Sequence, residues 1–231
     1  MINSQVPAAF LKTAYYWFQT YGKSKEQIDL VKQAWAKMSL RSFGYELEVA
    51  GPTPAFGSAV LVGNHISFLD IFVIMSVVPE STFVAKKELL FWPVVGPAAH
   101  KVGTIFVDRR PGVDRSGIRK EIDQALANSN VKVVTFPSGT TTLRENLPWK
   151  VGIFEIAKRA QVPMQLFRID YTPRRESAYV DDDNILVQMN QLGRFKNKKA
   201  KLTWVDRVEQ VESPIELSQN WQQKLEIKEA P

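Results

Sequence analysis

Apolar residues along this chain follow two rhythms, and the change comes near residue 44. Behind the capping-box spacing of Ser24 to Gln27, residues Ile28, Val31, Trp35 and Met38 recur at helical intervals, which predicts an amphipathic helix over 25–42. Residues 8–21 read as a second helix, crowded with Phe10, Tyr15, Tyr16, Trp17, Phe18 and Tyr21. From Tyr45 the runs become short, branched and aromatic: "YELEV", "SAVLVGN", "TFVAK", "TIFVDR", "VKVVTFP" and "VPMQLFRIDY" read as strands. Helical stretches at 68–78, 87–99, 114–128 and 152–161 separate most of them, "AKLTWVDRVEQV" adds a late strand, and Ser213-Pro214 opens a last helix. This alternation predicts an α/β fold, a mostly parallel sheet covered by helices. It divides into an N-terminal amphipathic helical arm at 1–42 and an α/β domain at 43–231.

Composition narrows the picture. With 231 residues, 45% hydrophobic and 11% aromatic, the chain can bury one sizeable core. There is no cysteine, so no disulfide or thiolate metal site can form. Thirty basic against 24 acidic residues give a net charge of +6, which suits an anionic partner. The first residues lack the pattern of a signal peptide. The longest uncharged stretch, Gly51 to Leu69, is broken by prolines and glycines and reads as strand and turn, not as a spanning helix. The aromatic rings at 8–21 suit either a bilayer interface or packing against the domain. If the protein works at a membrane, the expectation is peripheral attachment to its cytoplasmic face, with the 1–42 arm making the contact.

Of two histidines, His65 and His100, only His65 has company. It stands in "LVGNHISFLD", five residues before Asp70. On a straight helix the two side chains would point roughly 140° apart. A chain reversal at Gly63-Asn64, between a buried strand and a helix, would let them meet at the carboxyl end of the strand, where open α/β sheets bind ligands. Ser67 to Asp70 also has the spacing of a helix cap with an acid at its fourth position, which accounts for Asp70 without chemistry.

Three further blocks follow in order: "KKELLFWPVVG" leading to "GTIFVDRR", then "VVTFPSGTTT", then "VPMQLF". With "NHISFLD" they resemble the four blocks of the glycerolipid acyltransferase family, the 1-acylglycerol-3-phosphate acyltransferases and their relatives. The resemblance runs from about Leu61 to Leu166. It implies that His65 is a general base oriented by Asp70, and that a lysolipid hydroxyl attacks the thioester of an acyl-CoA or acyl-carrier protein. No metal and no further cofactor would be needed. It implies further that Arg109 grips the acceptor's phosphate, with Lys86 on the same anionic surface. Ser138, Gly139, Thr140 and Thr141 would form the substrate-binding turn.

Three positions depart from the family, the smallest departure being Leu166 in place of a proline usual in the fourth block. Ser138 replaces a glutamate, and Thr141 replaces an arginine often found there. Arg144 or Arg110 could restore the missing positive charge, and Glu145, seven residues on, could supply the missing acid. Threonine at this place also occurs in acyltransferases for other lysolipids, such as ornithine lipids. An inactive lipid-binding homologue is therefore a rival reading, and so is a serine hydrolase built from Ser138, His65 and Asp70. "RFKNKKAK" (194–201) carries no nucleic-acid motif and reads as lysines on a sheet edge, so no nucleic-acid partner is expected.

Overall fold

The computed structural model describes residues 5–54, 57–108, 110, 116–127, 130–180, 184–192 and 197–226. Helices α1 (Gln5–Phe18) and α2 (Lys25–Ser42) precede strand β1 (Tyr45–Ala50). There follow β2 (Ala59–Gly63), α3 (Asp70–Val77), β3 (Ser81–Lys86), α4 (Val95–Lys101) and β4 (Ile105–Val107). The second half contains α5 (Ser116–Ala127), β5 (Lys132–Thr135), α6 (Gly152–Ala160), β6 (Met164–Thr172), α7 (Arg174–Ser177), α8 (Ile185–Leu192), β7 (Lys198–Val208) and α9 (Pro214–Leu225).

The seven strands form one sheet in the order β1-β7-β6-β2-β5-β3-β4. From β6 to β4 every neighbour is parallel, whereas β7 runs antiparallel to β6 and β1, parallel to β7, shares its reversed direction. The fold is thus the mostly parallel, helix-covered sheet that the alternation implies. All five residues of β2 are buried, as expected of a strand covered on both faces. Leu61 points into one apolar layer with Ala36 and Leu40 of α2 and Val73 and Ile74 of α3. Its neighbours Val60 and Val62 point the other way, into a layer with Ile122 of α5, Phe154 of α6 and Trp221 of α9. Helix α2 carries the expected capping box, with Ser24 accepting from the Gln27 backbone and the Gln27 side chain accepting from Ser24 N–H.

Three local expectations change. The stretch 87–99 is not one helix: a 3-10 turn (Lys87–Phe91) ends before Pro93, and α4 begins only at Val95. Proline holds Trp92 extended, and Val94 takes a φ of 65°, so the helix cannot run through. The lysines of 198–201 are not on a sheet edge, because β7 lies between β1 and β6. Alternate residues of β7 therefore face inward, and Lys198 is buried, its ammonium donating to the Leu192 carbonyl and lying over the Tyr45 ring. Helices α7 and α8 are additions that the hydrophobic pattern does not signal.

Candidate active site

Strand β2 ends in a turn that Asn64 pins to β6. The Asn64 amide donates to Ile169 O at 2.7 Å and accepts from Ile169 N at 2.8 Å. With its amide satisfied on both ends, Asn64 reverses the chain and leaves His65 at the carboxyl edge of three adjacent parallel strands, β5, β2 and β6.

Asp70 opens α3 and is fully buried. Its Oδ2 lies 2.7 Å from His65 Nδ1 and also accepts from Ile66 N at 2.8 Å and Ser67 N at 3.0 Å. Its Oδ1 accepts from the Tyr171 hydroxyl at 2.6 Å. One oxygen atom therefore gathers the imidazole and two backbone N–H groups of the turn that leads into α3, while α3 itself has no side-chain cap at its N-cap, Leu69. Because a carboxylate only accepts, the shared proton belongs on Nδ1, which leaves Nε2 with a lone pair. Burial, reinforced by the Asp70 charge, pushes the Tyr171 phenol well above its usual range, so Tyr171 remains a donor.

The loop after β5 builds the other side. Phe136 stacks flat on the His65 ring, with centroids 3.9 Å apart and planes 9° from parallel. Thr142 N–H donates to His65 O at 2.7 Å, and His65 N–H donates to Glu145 Oε1 at 3.1 Å. The other oxygen of Glu145 accepts from Trp149 Nε1 at 2.9 Å. Glu145 is 4% exposed, and burial pushes its carboxyl above the ordinary value.

The remaining expected residues divide. Ser138 is buried, and its hydroxyl donates to Thr140 O at 3.0 Å, within its own turn. That direction gives no support to a serine hydrolase. Gly139 has a φ of 78°, a left-handed conformation that favours glycine, and a Cβ there would displace the end of the Lys150 side chain. Thr140 is exposed and Thr141 half-buried. Lys86 is exposed at the end of β3. Arg109 lies outside the described residues. Its exposed neighbour Arg110 forks onto the half-buried Asp108 and holds that carboxyl at about 2. His100 lies exposed on α4, away from this cluster of partners.

Beside the site, on the α3 face of the sheet, is a partly open apolar cavity of ≈ 350 Å³ bordered by α1, α2, α3, α4 and α8. Phe68, three residues from His65, lines it, together with Trp17, Trp35, Phe72, Ala98 and Met189. Helix α1 covers the cavity with one face, while Leu11, Tyr15 and Phe18 are 72%, 60% and 66% exposed on the other. Among the described residues no helix is long and apolar enough to cross a membrane.

Residues 46–169, more than half of the chain, match the family model described as Acyltransferase. The chain belongs to the acyltransferase family. It is 37% identical over 129 residues to the 1-acyl-sn-glycerol-3-phosphate acyltransferase alpha of Mus musculus, covering 53% of this chain and 44% of that protein. It is 36% identical over 126 residues to the 1-acyl-sn-glycerol-3-phosphate acyltransferase of Neisseria gonorrhoeae, covering 54% and 49%. To the lyso-ornithine lipid O-acyltransferase of Pseudomonas aeruginosa it is 30% identical over 165 residues, covering 69% and 62%. The chain thus spans about half the length of the first of these relatives. The crystal structure of the 1-acyl-sn-glycerophosphate acyltransferase of Thermotoga maritima superposes with a TM-score of 0.70 at 17% identity, covering 97% of this chain and 95% of that one, and shares the acyltransferase fold.

The four sequence blocks anticipate the family and the meeting of His65 with Asp70. They place the reversal at Gly63-Asn64 without its bonds to Ile169, and they miss the parts played by Phe136 and Tyr171. Tyr171 lies 101 residues beyond Asp70, and only the β2–β6 pairing brings them together.

Proposed function

We propose that the chain transfers a fatty acyl group from acyl-CoA or acyl-carrier protein to the hydroxyl of a lysophospholipid such as 1-acylglycerol-3-phosphate. The observation that carries this reading is the His65–Asp70 pair, with Nδ1 engaged and Nε2 available. An alcohol is a poor nucleophile near neutral pH unless a base takes its proton in the transition state. His65 Nε2 takes that proton while the oxygen attacks the thioester carbonyl. Asp70 and the stacked Phe136 hold the ring as it becomes imidazolium. The tetrahedral intermediate then collapses, the C–S bond breaks, and the thiolate leaves with the proton returned by His65. The donor and the base supply all the chemistry, so no metal or further cofactor is required.

The apolar cavity beside Phe68 takes the acyl chain, since its wall is almost wholly hydrocarbon and ring. In this reading Arg109, Lys86 and the Ser138–Thr141 turn bind the acceptor headgroup. The 1–42 segment is the membrane-associating part. A helix apolar toward its own domain and also toward solvent fits a lipid surface better than water. Peripheral attachment to the cytoplasmic leaflet follows, because acyl thioesters are found on that side.

A second acceptor reading has its own support. Thr141 stands where an arginine is often found, Arg110 is engaged with Asp108, and the alignment with the lyso-ornithine lipid O-acyltransferase is the longest of the three. The test is transfer of labelled acyl chains from acyl-CoA and from acyl-carrier protein to vesicles holding either 1-acylglycerol-3-phosphate or lyso-ornithine lipid. The expected result is transfer to one of them, abolished in His65→Ala. Release of free fatty acid alone would indicate a hydrolase, and no turnover at all an inert lipid binder.

A further inference from the structure

We propose that Glu145 is the acid this chain uses in place of the one missing at position 138, as a positioning residue that fixes the backbone of His65. The inference rests on the reading of His65 as the base. Ser138 cannot take the part of an acid, and its hydroxyl is spent on Thr140 O within the turn. A buried carboxyl nevertheless exists in the same loop, and it is aimed at the base. Glu145 Oε1 accepts the His65 N–H, and Thr142 N–H takes the His65 carbonyl. Both backbone groups of His65 are thereby held by one loop.

That hold controls something Asp70 cannot. The bond to Nδ1 fixes the rotation of the ring, whereas the position of the ring follows the Cα and its two peptide groups. Positioning within about 0.5 Å is what a proton transfer to Nε2 demands. The His65 N–H is two residues past the end of β2, so no sheet neighbour takes it, and Glu145 satisfies a donor that would otherwise be orphaned.

Glu145 is in turn held from within the loop and from outside it. Trp149 Nε1 donates to its Oε2, and Gln222 of α9 donates to its backbone carbonyl. The carboxylate is thus a bridge between the base and the opposite layer of the domain. Two donors face its two oxygens. A glutamine in the same place can meet only one of them, because its amide nitrogen would confront a second N–H.

The experiment uses the full chain on vesicles of the accepted lysolipid with saturating acyl donor. Glu145→Gln is expected to lower kcat by on the order of tenfold to a hundredfold while KM for both substrates stays unchanged. In a Trp149→Phe background the loss caused by Glu145→Gln is expected to shrink, because the amide oxygen is then free to face His65. A direct readout accompanies the kinetics. The chain has only two histidines, so ¹⁵N-histidine labelling gives two backbone amide signals, His65 and His100. Glu145→Gln should move the first and leave the second. In the unsubstituted protein the first signal should titrate with a midpoint above the ordinary carboxyl value of 4.5. An unchanged kcat in Glu145→Gln, an equal loss in both backgrounds, or a His65 amide indifferent to the substitution and to pH would each overturn the proposal. Full activity in His65→Ala would instead remove the base assignment. A dead His65→Ala beside a fully active Glu145→Gln removes the positioning role alone.

Discussion

Replacing Tyr171 by phenylalanine takes away one oxygen atom and leaves a fully buried carboxylate one partner short. The Tyr171 ring keeps its edge contact with Tyr45, whose centroid is 5.7 Å away, so the packing volume hardly changes. What changes is Asp70 Oδ1, whose described donor is the Tyr171 hydroxyl at 2.6 Å. A hydrogen bond to a charged group is worth about 1.5–3 kcal/mol net, and the upper half applies where water cannot substitute. For a chain of this length each kcal/mol moves the melting midpoint by about 2–4 °C, so Tyr171→Phe should melt roughly 5–10 °C lower. Turnover should fall about tenfold. Asp70 retains the His65 bond and two backbone donors through Oδ2, but gains freedom to swing about that oxygen. Urea unfolding followed by tryptophan fluorescence gives the first number, and acyl transfer at saturation gives the second. The pH dependence adds a sign. Burial raises the phenol above its unfolded value of 10.0, so its contribution is fully present below pH 10 and is lost as pH climbs beyond it. Tyr45, pushed up to about 12 by burial, shares that alkaline limb, so the variant should flatten the limb without abolishing it. A loss below about 0.5 kcal/mol together with unchanged turnover would refute the reasoning, because it would mean that Asp70 needs no anchor on that side.

Three further outcomes follow from the same geometry. Glu145 has a folded-state value raised by burial, so its contribution is present below 4.5 and lost as pH rises through that value. The stability of the protein relative to Glu145→Gln should decline as pH climbs above 4.5 in urea unfolding, and parallel curves would contradict this. Ala98→Phe puts a ring into the apolar cavity, so the preferred acyl donor should shorten by several carbons in a competition among chain lengths, with the acceptor preference unchanged. The double substitution Leu11→Ser with Phe18→Ser removes two exposed apolar groups of α1. Cosedimentation with vesicles should weaken while the melting midpoint stays within about 1–2 °C, since surface changes of this kind are near neutral for stability.

The sheet was legible because its strands are short, branched runs separated by helical spacing, and parallel strands buried on both faces leave that signature. Helix α2 was legible to its boundaries because Ser24 and Gln27 cap it reciprocally. The direction of β7 was not legible. An alternating strand such as "KAKLTWV" suits an edge or an interior reversed strand equally, and only its pairing with both β1 and β6 decides. At the site, His65 and Asp70 could be read because their partnership spans five residues and a turn signal. Glu145 could be noticed only as an acid near a place where one was missing. Its two bonds depend on how the loop after β5 folds back, and no local pattern encodes that. Asn64, Phe136 and Tyr171 act through strand neighbours 71 to 105 residues away from the groups that they touch, beyond the reach of any spacing argument.

The partners of His65 and Asp70 come from the segments around residues 64–70, 136–145 and 171, three stretches that meet only where β5, β2 and β6 lie side by side. The contacts with Phe136, Glu145 and Tyr171 cannot be in place while those strands are unpaired, so beyond its own turn the base is completed only by non-local contacts and forms late. Loss of function on heating should therefore coincide with loss of the sheet, as one cooperative event. Local opening of α1 or α8, at the rim of the cavity, would loosen the grip on substrate long before it disturbed the imidazole. Heat should thus raise KM first and abolish kcat only at global unfolding.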